Sequence, residues 1–260
     1  MTKPYLDAPL PHRLAHRGAT MAGQFDENSW DAFRAALSLG ASHLETDAQV
    51  TSDGHAVLVH DDDLVRVGAT PLTGGRIRVA EYSLAELEAM RLAKGGAIPS
   101  LLATLLEFPD ARFNIDVKRI GVAAPIADAV NATAAWDRVL ITSFSDRRRK
   151  AALRLMKRPD VATSAGVSRL LLAFVAAGIA QLLPVIARRS LVRFALRGID
   201  ALQIPISEAG FRIDRPWFVR SVRDVGVHVH FWVINDRDEA NRLLAMGASG
   251  IVSDDLERTL

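Results

Sequence analysis

The sequence of 260 residues contains no cysteine, which excludes disulfide bonds and thiolate metal sites. Aromatic residues are also scarce, at 6% of the chain. The basic residues that cluster between positions 145 and 198 are interleaved with Leu, Val and Ala, whereas segments that bind single-stranded nucleic acids combine basic with aromatic side chains. We therefore expect no nucleic-acid partner. Since a cysteine-free chain suits a reducing compartment, we expect a cytoplasmic protein.

Long apolar runs are missing as well. The longest candidate, 170–187, is interrupted by Gly178, Gln181 and Pro184, and it falls short of the roughly 20 apolar residues of a membrane-spanning helix. The first residues contain no basic leader followed by an apolar stretch, so we expect no secretory signal. A G-x-G-x-x-G turn is absent after the first predicted strand, which leaves no basis for a dinucleotide site.

What the chain does contain is an alternation of short apolar runs with longer helical patterns, the latter at 29–39, 84–91 and 236–246 among others. Repeated strand–helix units imply parallel strands with right-handed crossovers, and eight such units in about 250 residues predict a TIM (β/α)8 barrel. The predicted strands are 13–16, 43–47, 113–118, 139–143, 161–164, 201–204, 227–233 and 250–253.

Two segments are longer than a minimal barrel requires. The turn sequence Thr51-Ser52-Asp53-Gly54 between two apolar runs predicts a hairpin of 44–50 with 56–60. The following segment, 61–97, is too long for a plain crossover, and Gly74-Gly75 marks a loop within it. The second long segment, 165–198, has room for two helices.

Histidines and carboxylates are concentrated at the ends of the first predicted strands, which is where barrel enzymes carry their catalytic residues. His16 ends the first strand and Arg17 follows it, Glu45 and Asp47 end the second, and His60 ends the hairpin. Carboxylates hold hard divalent cations, arginine binds phosphate and histidine transfers protons. This combination predicts metal-assisted phosphoryl chemistry.

Glu45 and Asp47 are two residues apart on one strand, so their side chains point the same way. Two inward carboxylates repel each other unless a positive charge lies between them. Either a divalent cation or a neighbouring Arg or Lys satisfies that requirement. The proximity of Arg17, a phosphate-binding residue type, favours the cation.

The ordered set of motifs resembles the glycerophosphodiester phosphodiesterase family, in its bacterial, cytoplasmic type, over nearly the whole chain. The motifs that carry the resemblance are His16-Arg17-Gly18, Glu27-Asn28, Glu45-Thr46-Asp47, Thr51-Ser52-Asp53-Gly54, His60-Asp61, Ile98-Pro99-Ser100-Leu101, Asn114-Ile115-Asp116-Val117-Lys118, Thr142-Ser143-Phe144, Phe231-Trp232-Val233-Ile234-Asn235 and Gly247-Ala248-Ser249-Gly250-Ile251-Val252-Ser253-Asp254. The resemblance also implies that 61–97 is a small subdomain inserted into a single barrel domain that spans 1–260.

The resemblance implies a role for each matching residue. His16 and His60 are the expected catalytic pair, and Arg17 and Lys118 the expected phosphate-binding groups. One divalent cation, Mg²⁺ or Ca²⁺, is expected on Glu45, Asp47 and Asp116, although the family usually has Glu in place of Asp116. Glu27 is expected to bind the metal or to lie beside its ligands, and Trp232 to line the substrate pocket or to belong to the core. By its position at the end of the sixth predicted strand, Gln203 is expected to reach the same pocket, and Asp254 is expected to position the last loop.

The implied activity is hydrolysis of glycerophosphodiesters, which are small-molecule substrates, to sn-glycerol 3-phosphate and an alcohol. A second interpretation is a lysophospholipase D, because Arg169 and Arg188-Arg189 bracket the apolar stretch 170–187. In that case 169–197 contacts the inner face of a membrane; otherwise it forms a pair of helices packed on the barrel. A third interpretation is an inactive barrel that binds a phosphate ligand.

Overall fold

A computed structural model of the chain describes residues 3–21, 23–69, 77–208 and 210–260. Its strands are β1 (His12–Ala15), β2 (His43–Val50), β3 (Ala56–Leu58), β4 (Phe113–Val117), β5 (Val139–Thr142), β6 (Ala162–Thr163), β7 (Ala201–Ile204), β8 (Ser207–Glu208), β9 (Phe211–Arg212), β10 (His228–Phe231) and β11 (Gly250–Ser253). Its α-helices are α1 (Trp30–Ser38), α2 (Leu84–Ala89), α3 (Leu101–Glu107), α4 (Ala123–Ala132), α5 (Asp146–Leu155), α6 (Val167–Ala180), α7 (Val185–Ala195), α8 (Pro216–Arg223), α9 (Arg237–Met246) and α10 (Leu256–Thr259).

Eight parallel strands pair in the order β6-β5-β4-β2-β1-β11-β10-β7. One parallel bridge, between Ser164 and Ala201, joins the two ends of this sheet, so the strands form a nearly closed barrel. The TIM barrel prediction is confirmed, and each of the eight predicted strands is present. Two large apolar clusters pack the barrel strands against the helices, one formed mainly by the first part of the chain and the other by the part after position 164.

Side-chain caps set the ends of several helices. The Ser29 hydroxyl accepts a hydrogen bond from the Ala32 amide at 3.2 Å and starts α1. The Asp236 carboxylate caps α9 in the same way, and Gly247, at φ 112°, ends it in the left-handed region that glycine adopts without strain. The three helical patterns named above each contain a helix.

The predicted hairpin is present between β2 and β3. Ala48 pairs with Leu58 and Val50 with Ala56 in antiparallel register. The Thr51 hydroxyl accepts from the His55 amide at 2.9 Å and closes the turn. β2 is thus longer than its predicted barrel segment, because its last three residues pair with β3, and Ala48 also keeps its barrel partner Val117 of β4.

The segment after β3 has a small apolar cluster of its own, which includes Leu64, Ile77, Leu87 and Met90. Gly74-Gly75 lie outside the described residues. The extent of an inserted subdomain at 61–97 stays a prediction.

The apolar stretch 170–187 is divided between α6 and α7, as expected for a pair of helices. Leu170, Ala173 and Ala177 of α6 are buried in the core, and Phe174 packs against Trp217 of α8 with ring centroids 5.0 Å apart. Across the described ranges, every helix is too short or too polar to cross a bilayer.

Candidate active site

The carboxyl ends of β1, β2 and β4, together with the loops that follow them and β3, surround a cavity of about 260 Å³. Nine of the ten predicted site residues line it, and Glu27 lies just outside the lining. The nine are His16, Arg17, Glu45, Asp47, His60, Asp116, Lys118, Gln203 and Trp232. The topology therefore brings together side chains that are separated by more than 200 positions in the sequence.

The turn after β1 places Arg17 at the cavity. Arg17 and Gly18 both adopt positive φ angles, 57° and 84°. A Cβ at Gly18 would lie 2.8 Å from Ala32, so only glycine fits this close approach to α1. The Arg17 carbonyl accepts from the Asn28 amide at 2.8 Å, and the Asn28 side chain accepts from Thr46 of β2 at 2.7 Å. These bonds fix the turn against the strand that carries the carboxylates.

Two of the three predicted metal ligands lie side by side, because Asp47 of β2 and Asp116 of β4 are register partners. The Lys118 ammonium group lies between them, with Nζ 2.7 Å from Asp47 Oδ1 and 2.8 Å from Asp116 Oδ2. Arg17 Nε is 3.0 Å from Asp47 Oδ2. The third carboxylate, Glu45, accepts from the Arg17 amide at 3.1 Å.

Negative charge exceeds positive charge at this cluster. Burial and the neighbouring charge of Asp47 raise the pKa of Glu45 to about 8. Burial also raises the pKa of Asp116. Burial opposes ionisation of Asp47 too, but Lys118 and Arg17 outweigh it and lower the pKa of that carboxyl. Two cationic side chains are thus insufficient to hold all three carboxylates in their ionised form.

The same carboxylates are suited to a hard divalent cation. Asp116 Oδ1 is buried and accepts no hydrogen bond from any described residue. Three carboxylates on adjacent strands, one with a free oxygen and one with a raised pKa, provide the oxygen ligands that Mg²⁺ and Ca²⁺ prefer. The residues present therefore fit the cation that the sequence predicts, and both the ion and these ligands stay predictions.

Each predicted catalytic histidine is held by an aspartate. His16 Nδ1 lies 2.6 Å from Asp254 Oδ1, and His60 Nδ1 lies 2.6 Å from Asp61 Oδ1. A proton on Nδ1 is donated to the carboxylate, which leaves Nε2 of each ring for substrate. Asp254 in turn accepts from the Asn235 side chain at 2.8 Å.

The contact of Asp254 with His16 is absent from the sequence prediction, which gave Asp254 only a loop-positioning role. The contact between Asp254 and His16 follows from the closure of the barrel. β1 pairs with β11 so that Ala15 is opposite Ser253, and the next residues along both strands are His16 and Asp254. The pKa of His16 is raised, because Asp254 and Glu45 outweigh the effect of burial, which alone would lower it.

Glu27 contacts guanidinium groups in this arrangement. Arg66 donates to both Glu27 oxygens at 2.7 Å, and Arg17 Nη1 is 3.3 Å from each of them. Arg66 also donates to Asp61 at 2.5 Å. Burial would raise the pKa of Glu27, but these arginines lower it. Glu27 thus binds Arg17 and Arg66, and both of its predicted roles, as a ligand of the metal or as a neighbour of its ligands, stay predictions.

The opposite wall of the cavity is apolar. Trp232 contacts Phe144 with ring centroids 5.8 Å apart, and Val167 and Leu170 extend this wall towards α6. Gln203 accepts from the Asn114 amide group at 3.2 Å across the barrel interior. The cavity therefore has one ionic wall and one apolar wall.

The fold and the cavity define an α/β-barrel enzyme whose side chains suit phosphoryl chemistry. The sequence profile of the Glycerophosphoryl diester phosphodiesterase family matches residues 16–258. The chain belongs to this family and is a phosphoric diester hydrolase. The family predicted from the sequence is confirmed.

Individual relatives agree with this assignment. The chain is 35% identical over 241 residues to the probable glycerophosphodiester phosphodiesterase 2 of Mycobacterium tuberculosis, covering 93% of this chain and 86% of that protein. It is 23% identical over 273 residues to lysophospholipase D GDPD1 of Homo sapiens, covering 94% and 83%.

Solved structures share the fold. A putative glycerophosphoryl diester phosphodiesterase from Silicibacter pomeroyi matches with a TM-score of 0.74 and 23% identity, over 99% of this chain and 96% of that one. An Oleispira antarctica phosphodiesterase in complex with the product sn-glycerol-3-phosphate matches with a TM-score of 0.70 and 22% identity, over 94% and 93%.

Proposed function

We propose that this hydrolase cleaves glycerophosphodiesters to sn-glycerol 3-phosphate and an alcohol, with His16 and His60 as its proton-transfer groups. The observation that carries the proposal is that both imidazoles, each held at Nδ1 by an aspartate, line one cavity with Arg17 and Lys118. The name of the Mycobacterium tuberculosis relative and the product bound to the Oleispira antarctica enzyme support it.

In the proposed reaction, Nε2 of His16 takes the proton from the attacking oxygen, and Nε2 of His60 gives a proton to the leaving alcohol. Arg17 and Lys118 bind phosphoryl oxygens. A divalent cation, Mg²⁺ or Ca²⁺, on Glu45, Asp47 and Asp116 would supply further charge stabilisation there. The attacking oxygen is either water or the substrate's glycerol 2-hydroxyl, and only the second route passes through a cyclic phosphate that a quenched single turnover would reveal.

The experiment measures release of glycerol 3-phosphate from glycerophosphocholine after chelation and after addition of Mg²⁺ or Ca²⁺. We expect metal-dependent release, and a loss of about 10²–10⁴-fold in kcat for His16→Ala and for His60→Ala. His55→Ala, at an exposed histidine of the hairpin turn, is the matched control and should retain full activity. Near-normal release by either active-site variant contradicts the catalytic assignment, and no release by the folded wild-type protein favours the inactive barrel.

Lysophospholipids are a second candidate substrate class, favoured by the surface beside the apolar wall. Phe144 and Val167 are 57% and 41% exposed at the cavity. The apolar surface continues along α6 at four-residue spacing through Leu171, Val175 and Ile179, which are 50–62% exposed. An exposed apolar stripe that begins at the cavity is suited to an acyl chain or a lipid surface.

The charge of α6 and α7 matches an anionic membrane. The two helices and the loop between them contain no Asp or Glu, and Arg189 and Arg193 are exposed on α7 beside the apolar Ile186 and Phe194. Exposed apolar residues combined with arginines are typical of helices that lie in the membrane interface. Peripheral contact with the inner face of a membrane through 169–197 is therefore part of this second proposal.

Vesicle flotation and substrate preference test this second function. We expect the wild-type protein to float with phosphatidylserine-containing vesicles at low salt and to release choline from lysophosphatidylcholine. Leu171→Gln with Ile179→Gln should weaken both, whereas Leu102→Gln with Leu106→Gln, at exposed apolar positions of α3, should weaken neither. Absence of flotation, or equal effects of the two double variants, contradicts lipid contact through α6.

A further inference from the structure

Four histidines lie at the amino ends of the barrel strands, at the end opposite the candidate active site. His12 and His43 are the first residues of β1 and β2, and His228 and His230 lie on β10. His12, His43 and His230 are fully buried, and His228 is partly buried. The proposed phosphodiesterase reaction uses none of them.

The sheet brings two of these imidazoles into contact across an intervening strand. Gly250 of β11 is the register partner of both His12 on one side and His230 on the other. A Cβ at Gly250 would lie 2.6 Å from the His12 Cβ, so this position has no room for a side chain. Although their strands are roughly 10 Å apart, His12 Nδ1 and His230 Nε2 are separated by only 3.0 Å.

The hydrogen bonds of His12 leave one lone pair directed into the cluster. Its Nε2 lies 3.2 Å from the carbonyl oxygen of Ala8, which can only accept, so the ring proton is on Nε2 and the lone pair of Nδ1 faces His230 Nε2. Metal-bound histidines are commonly oriented by such a bond from the other ring nitrogen to a backbone carbonyl. His43 differs, because both its nitrogens are engaged, with Ser42 Oγ at 2.8 Å and with the Tyr5 carbonyl at 3.0 Å.

The other two imidazoles have unused nitrogens. Nδ1 of His228 and Nδ1 of His230 are buried without a hydrogen-bond partner among the described residues. One nitrogen from each of His12, His228 and His230 lies within 4.8 Å of the others. Burial lowers the pKa of all three rings, to about 4 for His12, so they are neutral at physiological pH, as metal ligation requires.

We propose that His12, His228 and His230 form a binding site for a transition-metal cation of the Zn²⁺ class, separate from the carboxylate cluster. Two nitrogens at about 2.0–2.1 Å from a tetrahedral ion lie roughly 3.3 Å apart, close to the His12–His230 separation. Imidazole ligands select Zn²⁺, Cu²⁺ or Ni²⁺, whereas carboxylates select Mg²⁺ or Ca²⁺. The bound ion links β1 to β10 across β11.

The fourth ligand comes from solvent on the partly exposed side of His228. Three neutral imidazoles leave the charge of the ion uncompensated, and the cations Arg112 and Arg223 face the cluster while Asp7 faces His228. A solvent anion, hydroxide or chloride, in the fourth position offsets that charge. Three histidines and one solvent ligand form a known tetrahedral zinc arrangement.

Cobalt spectroscopy tests the site without interference from the active site. The parent protein of this experiment is the double variant Glu45→Gln, Asp47→Asn, which lacks two predicted ligands of the hard cation. A chelator removes bound metal before Co²⁺ is titrated. We expect one equivalent to bind with the visible absorption of tetrahedral Co²⁺. Zn²⁺ should displace the Co²⁺ and raise the midpoint of thermal unfolding by about 5–10 °C at a large excess over its Kd.

Variants decide whether the histidines are the ligands. His228→Asn, at a partly exposed position, and His230→Gln should each abolish the tetrahedral absorption, whereas the exposed His55→Asn should retain it. If His230→Gln does not fold, His228→Asn decides alone. Absence of tetrahedral absorption in the parent protein, or its retention in a folded His228→Asn variant, overturns the proposal. Both results are independent of phosphodiesterase activity, because the readouts are absorption and thermal unfolding and the parent protein lacks two of the three predicted ligands of the hard cation.

Discussion

His16 and His60 are each held by a carboxylate, but the two carboxylates come from different parts of the chain. Asp61 is the next residue after His60, whereas Asp254 is 238 positions from His16. A carboxylate at Nδ1 selects the ring tautomer and stabilises the imidazolium that forms during proton transfer. In the proposed reaction, Asp254 would therefore act through His16.

We expect Asp254→Asn to lower kcat about 10²-fold with little change in KM, because the amide removes the charge beside His16 and can present its NH₂ group to Nδ1. Steady-state kinetics with glycerophosphocholine measure both parameters. Asp238→Asn, the same change at an exposed position of α9, should match the wild-type enzyme. An unchanged kcat for Asp254→Asn shows that His16 needs no such partner.

At Asp116 this chain has an aspartate where the family resemblance leads us to expect a glutamate. Its carboxylate is buried and bound to Lys118 at 2.8 Å. We expect Asp116→Glu to lower the Mg²⁺ concentration for half-maximal activity about tenfold, because a carboxylate one methylene longer extends further towards an ion in the cavity. Asp116→Asn should raise that concentration. Metal titrations of activity compare the three proteins, and identical curves for all of them remove Asp116 from the ligand set.

Between elements, Asp26 accepts from the Lys94 and Gly96 amides and so attaches the segment after β3 to the loop after β1, and Arg66 adds ion pairs to this attachment. Arg66 bonds Glu27, which holds Arg17, and Asp61, which holds His60. It is nearly half exposed, and ion pairs of this kind contribute only about 0–1 kcal/mol to the free energy of unfolding. Its effect is on position, since it connects the supports of two active-site residues.

We therefore expect Arg66→Met to lower kcat about tenfold while the free energy of unfolding changes by less than about 1 kcal/mol. Activity assays and urea denaturation of the same preparation give the two quantities. Arg91→Met, at an exposed arginine of the same segment that bonds only backbone carbonyls among the described residues, is the matched control. A large loss of stability with unchanged kcat would assign Arg66 a purely structural role.

Ionisable side chains lie at both ends of the barrel interior, charged ones at the carboxyl end and neutral ones at the amino end. At the carboxyl end, acidic and basic side chains form the predicted catalytic site. At the amino end, burial keeps imidazoles neutral, and it lowers the pKa of His43 to about 3. An unfolded histidine titrates near pH 6.5, so it binds a proton in acid that the folded one does not.

Because acid protonates the unfolded chain more readily than the folded one, we expect the protein to lose stability as the pH falls. In metal-free protein, the contribution of His43 is complete above about pH 6.5 and decreases as the pH falls towards its folded value, by about 1.4 kcal/mol per pH unit near pH 5. Urea denaturation from pH 7 to pH 4.5 measures the free energy of unfolding. His43→Gln should reduce the slope of the free energy of unfolding against pH by that amount, and His55→Gln should leave the slope unchanged. Equal slopes in the wild-type protein and both variants refute a buried neutral His43.

The sequence by itself determined the alternation of elements, because apolar runs and helical patterns are local. It therefore predicted the eight strands, the hairpin after Asp47 and the division of 170–187 between two helices. It also predicted nine of the residues that line the cavity, since side chains at the carboxyl ends of barrel strands converge once the barrel closes.

Contacts between distant segments were decided only by the tertiary structure. The register of β1 with β11 places Asp254 beside His16, and the shared partner Gly250 places His12 beside His230. The pairing of strands depends on how the whole sheet closes, and the contact of His12 with His230 also requires a glycine between them. Local patterns in the sequence do not reveal which distant strands will pair. The support of Glu27 by Arg66 likewise depends on packing of the segment after β3 against the loop after β1.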